Sequence, residues 1–197
     1  MKEVSVSFDD LSKEELVTIL ELIERSQKCS STHGLRELIL KARELFEAEF
    51  AVCGLVEAGL PHVNAFVNGN YPEEWVERYS SENLHLHDPV VRFHSRYAMT
   101  QLWSDVFRHY EDPGARALIR DAGDYGLKFG ISGAIYVPVA DQVAIFSFSG
   151  ERDRFTSRHK RIIDILTMHF SRALVNSVKP VGAVPHWDVP SLGFQMR

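Results

Sequence analysis

Cysteine is scarce: Cys29 and Cys53 are the two in 197 residues, and they form no C-x-x-C pair. A disulfide framework or a cysteine-bound structural zinc is therefore not expected, and a reducing, cytoplasmic setting is. Long apolar runs are missing as well. No stretch reaches the roughly 18 residues of a membrane span, and the N-terminal MKEVSVSFDDLSKEE is too polar and acidic for a secretory signal. The chain has no Lys/Arg block and a formal net charge of -5, which argues against direct nucleic-acid binding. Catalytic signatures are absent too: H-E-x-x-H, G-x-S-x-G, a P-loop and G-x-G-x-x-G do not occur. The run His85-Leu86-His87-Asp88 offers metal-ligand chemistry, but an i, i+2 pair converges on one ion only in a strand, so loop histidines are expected and no metal. Cys53 lies inside an apolar segment, where a small core residue is expected and not a nucleophile. A hydrolase would need a metal or nucleophile that this pattern does not display.

The chain does have the composition of one folded domain, with 45% hydrophobic and 25% charged residues. Ser12 and Glu15 form a capping box for a first helix with an apolar stripe of Leu16, Ile19, Leu20 and Ile23. A second helix begins near Thr32 and turns Leu35, Leu38, Ile39, Ala42, Leu45 and Phe46 inward. Phe50 to Val56 and His62 to Val67 read as a hairpin-like strand pair around Gly59 and Pro61. Pro72 suits a first helical turn. Asp88-Pro89 opens another helix through Val90, Val91, His94 and Tyr97. Met99 to Trp103 reads as a short strand. Asp112-Pro113 starts a further helix that Gly126 ends. Ile131 to Val139 and Val143 to Ser149 are strands joined at Ala140-Asp141, with Val143, Ile145 and Ser147 on one face and Ala144, Phe146 and Phe148 on the other. Thr156 caps a long last helix carrying Ile162, Ile163, Leu166, Phe170, Ala173 and Leu174. The sum predicts an α/β/α sandwich, a central antiparallel sheet of about five strands with helices on both faces. Residues 1–179 are expected to form the domain, and 180–197 a Pro/Gly-rich tail.

Polar-tipped aromatics concentrate around one acid between Asn70 and Trp103. Tyr71, Trp75 and Tyr79 fall at four-residue steps, which would stack them on one face of a helix. Each ring has an apolar body and a hydrogen-bonding tip, the combination that lines a pocket for a greasy ligand and fixes its polar head. Asp88 reads equally as an N-cap and as an acceptor for a ligand N–H. A carboxylate has two oxygens, so both roles can coexist.

The string N-Y-P-x-x-W-x-x-x-Y at Asn70 to Tyr79, Asp-Pro-Val at Asp88 to Val90 and W-S-D at Trp103 to Asp105 resembles the autoinducer-binding domain of LuxR-type quorum-sensing regulators. The resemblance runs from about Leu11 to Val178 and takes in Gly133, Pro138 and the strand bearing Ser147. It implies a GAF/PAS-like fold that binds an N-acyl-L-homoserine lactone between the sheet and one helical layer, without a cofactor and without catalysis. It further implies that Trp75 donates to the lactone carbonyl, that Asp88 accepts the amide N–H, and that Tyr71 and Ser147 donate to the acyl carbonyl. Trp103 would pack on the lactone ring and Tyr79 beside the acyl chain. Val90 and Gly133 join this set by position, while Phe66, Leu84, Val143 and Ile145 would set pocket depth. Two departures bear on selectivity: Thr100-Gln101-Leu102 stands where the family often has a proline and an aromatic, and Val90 stands where some members are polar. The family continues into a DNA-binding helix-turn-helix, whereas this sequence stops at Arg197. Two expectations follow, a ligand-binding domain cut from a longer regulator or a natural single-domain form, the second slightly favoured; the domain is expected to be homodimeric or paired with a full-length regulator that it would inhibit. The rival expectation is an interaction module that kept the fold but binds no ligand.

Overall fold

The computed structural model describes residues 10–178. Five strands form one antiparallel sheet in the order β2-β1-β5-β4-β3: β1 Phe50–Glu57, β2 Val63–Asn68, β3 Gln101–Leu102, β4 Phe129–Val137 and β5 Gln142–Gly150. Helices α1 Lys13–Lys28, α2 Thr32–Ala42 and α7 Ser157–Ser177 cover one face, while α3 Glu73–Ser81, α4 Pro89–His94, α5 Trp103–Phe107 and α6 Pro113–Asp124 cover the other. This is the expected three-layer α/β arrangement. The expected tail at 180–197 lies outside the described residues.

Period-two alternation divides the sheet between two cores. Ala51, Cys53 and Leu55 of β1 and Ala144, Phe146 and Phe148 of β5 pack under α1, α2 and α7, where Phe46 stacks on Phe148 with ring centroids 4.3 Å apart. Val52, Ile145 and Ser147 face the other helices. A bulge intervenes in the hairpin: Leu55 pairs with Ala65 but Val56 pairs with Val63, so Asn64 is an extra residue. The bulge turns Val63 to the Val56 side of the sheet, whereas simple alternation would leave it with Ala65 and Val67.

Most helix starts follow from their caps. Ser12 accepts from the Glu15 amide and Glu15 accepts from the Ser12 amide, closing the capping box. Asp112 accepts from the amide of Ala115, and Gly126, at φ +85°, ends α6 where a Cβ would be strained. Several expectations are corrected. Leu20 of α1 is 66% exposed and Leu16 39%, because the buried stripe runs through Ile19, Leu22 and Ser26. Pro72 is the N-cap of α3, with extended ψ, and not its first residue. Tyr97 lies beyond the end of α4 and is exposed. The strand expected over Met99 to Trp103 shrinks to Gln101–Leu102, and Trp103 begins α5.

Candidate ligand-binding site

Between the sheet and the α3–α6 layer lies a largely apolar cavity of about 100 Å³. One water needs roughly 10–15 Å³ on the same measure, so the space suits an organic molecule. Tyr71, Trp75, Tyr79, Asp88, Val90, Trp103, Ile145 and Ser147, scattered over 77 positions of sequence, all reach its wall.

The turn after β2 places Tyr71. Its amide donates to Asn68 Oδ1 (2.8 Å) while Asn68 Nδ2 donates back to its carbonyl (3.1 Å). Gly69 permits the close approach, since a Cβ there would sit 2.4 Å from the Ala51 carbonyl. Tyr71 thus precedes α3, and the single helical face expected for three rings holds only for Trp75 and Tyr79, whose centroids are 5.9 Å apart. Tertiary folding nevertheless brings all three to one cavity. Trp75 is 3% exposed, and its indole N–H has no acceptor among the described residues.

Asp88 combines both of its readings. Oδ1 caps α4 by accepting from the amides of Val90 (2.8 Å) and Val91 (3.4 Å), and Oδ2 accepts from the Tyr79 hydroxyl (2.7 Å). Burial raises its pKa, while these three donors and the Arg92 charge oppose the rise. Burial and the adjacent carboxylate raise the Tyr79 pKa further, keeping it a neutral donor. The carboxylate retains lone-pair capacity toward the cavity.

On the sheet side, Trp103 Nε1 donates to Ser132 Oγ (2.8 Å), and Ser132 Oγ lies 2.7 Å from Ser147 Oγ. Ser149 donates to the Tyr71 hydroxyl (3.2 Å). Burial, the leading influence, raises the Tyr71 pKa, so it too remains protonated. The indole of Trp103 lies on Gly130, where a Cβ would meet the ring at 2.5 Å.

Two residues expected at the site are elsewhere. Gly133 faces the opposite layer: a Cβ there would lie 2.1 Å from Thr167 Oγ1 and 2.8 Å from Ile163 Cγ1 of α7. Val143 shares the cavity-side face of β5 but packs beyond the cavity, against Val56, Val63, Ala134 and Ile145. Phe66 lines the wall, whereas Leu84 is half-buried behind it. Sequence reasoning missed Val52, Gly54, Val76, Phe107, Leu118 and Ile119, which line the cavity with ordinary apolar spacing that carries no functional signal. It also missed Ser132 and Ser149. Both alternate in phase with cavity-facing neighbours, a signal visible once the pairing register is known.

His85 lies in the 3-10 turn Leu84–Leu86, stacked near His62 (6.4 Å), while His87 and Asp88 follow it, and no metal-competent group of three His, Cys, Asp or Glu occurs among the described residues. Among those residues no helix is long and apolar enough to cross a membrane. Burial raises the Cys53 thiol pKa, the opposite of activation.

An antiparallel sheet between helical layers, with a cavity presenting several donors and one carboxylate, defines a small-molecule-binding α/β domain. The model of the autoinducer binding domain matches residues 31–174, and the chain belongs to that family. It is 35% identical over 92 residues to the HTH-type quorum sensing-dependent transcriptional regulator RpaR of Rhodopseudomonas palustris, covering 42% of this chain and 37% of that protein. It is 32% identical over 110 residues to the HTH-type quorum-sensing regulator RhlR of Pseudomonas aeruginosa, covering 51% and 43%. The chain thus matches about two fifths of these relatives' length. The crystal structure of Escherichia coli SdiA shares the fold, with TM-score 0.67 at 20% identity over 89% of this chain and 74% of that one.

Proposed function

We propose that this domain binds an N-acyl-L-homoserine lactone in the cavity and serves as the ligand-sensing part of quorum-sensing transcriptional control. One observation carries the reading: Asp88, an acceptor, stands at the cavity wall with the donors Trp75, Tyr71 and Ser147. A secondary amide with carbonyls on either side is complementary to that set, and a neutral lactone needs no counter-charge. In this reading Asp88 accepts the amide N–H, Trp75 donates to the lactone carbonyl, and Tyr71 and Ser147 donate to the acyl carbonyl. Trp103, its N–H already engaged by Ser132, acts as a flat wall for the ring. The acyl chain runs along Val52, Gly54, Val56, Val63, Phe66 and Ile145.

The proposal includes pairing with a LuxR-type regulator. Because regulators of this kind engage two operator half-sites together, pairing one of them with these 197 residues is expected to lower its operator affinity. Gel-shift titration of such a regulator with this chain measures that.

The ligand is tested by thermal unfolding against lactones of graded acyl length. At about a hundred times its dissociation constant the preferred ligand adds roughly 2.7 kcal/mol. The shift is expected to depend on chain length and to collapse in Asp88→Asn and Trp75→Phe. Ligand-free protein that responds to none of the series overturns the reading in favour of an interaction module.

A further inference from the structure

We infer that Ser132 is a positioning residue that sets the hydrogen-bonding sense of the pocket: held by Trp103, it turns the Ser147 hydroxyl proton outward to meet an acceptor atom of the ligand. Strand β4 places Ser132 directly opposite Ser147 of β5. Ser132 is fully buried, Ser147 is 4% exposed and Trp103 7%. A hydroxyl so deep in a sheet is unfavourable unless its hydrogen bonds are made.

Proton counting gives the direction. An indole N–H can only donate, so Ser132 Oγ is the acceptor of the 2.8 Å contact with Trp103. Ser132 then has one proton to place, and Ser147 Oγ lies 2.7 Å away, an ordinary O–H to O distance. No other described residue offers that proton an acceptor, so donation in the reverse sense, from Ser147 to Ser132, would strand it. Ser147 therefore accepts, and its own proton points to the cavity that it lines. The series from indole to hydroxyl to hydroxyl polarises each member and strengthens the last donor. Gly130 contributes by letting the Trp103 ring lie flat on the sheet, fixing the start of the series. Two residues along the same face of β5, Ser149 donates to Tyr71 and frees that hydroxyl proton likewise. Both serines of β5 thus commit the sheet side of the pocket to donors, which selects a ligand with acceptor oxygens there and rejects a deoxygenated analogue.

The inference deepens the lactone reading and rests on it for the ligand, so its test has two arms. In the first, the 197-residue chain is titrated with N-acyl-L-homoserine lactones from butanoyl to dodecanoyl. Ser132→Ala, which touches no ligand, is expected to weaken the best of them about tenfold, the loss of one well-formed hydrogen bond. Ser147→Ala should do the same, and the double variant no more than either, because the two act as a unit. Wild-type affinity in Ser132→Ala, or losses that multiply in the double variant, overturns the inference. The second arm needs no ligand and uses the indole N–H resonance of Trp103, assigned with Trp103→Phe. It should move upfield in Ser132→Ala and by a smaller step in Ser147→Ala. A Trp103 signal unmoved by Ser147→Ala refutes the series. A wild type that binds no lactone yet shows both steps sinks the lactone reading alone.

Discussion

Single atoms decide which conspicuous residues are functional. Gly133 carries the family resemblance as strongly as its neighbours, yet its missing side chain makes room for Thr167 and Ile163 of α7 and none for a ligand. Gly133→Ala overpacks that contact and is expected to lower stability by about 1–3 kcal/mol. Denaturant unfolding should show this loss, while the ligand dissociation constant of the folded fraction stays near the wild-type value. A large affinity loss would return Gly133 to the site. Asp88 illustrates the converse, since its capping role was legible from Asp-Pro alone and its place beside Tyr79 was not. Capping joins atoms two and three residues apart, and local spacing reports it. The Tyr79 contact depends on where α3 is docked.

Among the elements, α6 is tied to its neighbours by charged side chains as well as by packing. Leu118, Ile119 and Ala122 form part of the cavity wall. Two ion pairs tie it to the opposing wall: Arg92 of α4 donates to its N-cap Asp112 (2.6 Å) with the guanidinium over the Tyr110 ring, and Arg78 of α3 donates to Asp121 (2.7 Å). Arg92 holds the Asp112 carboxyl below its ordinary pKa, and Arg120 together with Arg78 does the same for Asp121. Replacing Arg78 and Arg92 together by glutamine is expected to speed amide exchange in α6 a few-fold and leave α7 unchanged, because the two ion pairs join α6 to α3 and α4 and touch nothing on α7. Equal protection in wild type and variant would show that apolar packing alone holds the helix. The start and end of α6 were readable from Asp112-Pro113 and Gly126, and its amphipathic stripe from Leu118 and Ala122. Its tethers were not, because Arg78 and Arg92 have the spacing of any solvated charge.

For the whole molecule, pH couples to folding most clearly at His94. Burial lowers its pKa from 6.5 to about 4, and its Nδ1 lies 3.4 Å from the Tyr97 carbonyl. Between those values the unfolded chain binds the proton and the folded one does not, so stability is retained above pH 6.5 and falls as pH drops toward 4. The contribution lost is roughly 3 kcal/mol at most, one proton over that interval. Denaturation midpoints for wild type and His94→Leu from pH 7 to 4 should converge as the wild type weakens. Parallel curves would mean that His94 titrates normally. Asp88 acts with the opposite sign, since a raised carboxyl loses stability as pH climbs from the ordinary range to its folded value, which is why the paired comparison isolates the histidine.

Sequence alone determined helices α1, α2, α6 and α7, the caps at Ser12, Asp88 and Asp112, the alternating faces of β4 and β5 and the aromatic and acidic set from Tyr71 to Trp103, because each expresses contacts a few residues apart or a fixed backbone period. Only the tertiary structure decided which face Gly133 occupies, that a bulge turns Val63 toward the Val56 side, and that Tyr71 meets the site from a turn. It also joined Trp103 to Ser132 across 29 residues and Tyr71 to Ser149 across 78. Those contacts depend on strand register and layer docking, which no local pattern encodes: a shift of one residue in β4 would exchange Ser132 for Gly133 on the pocket face.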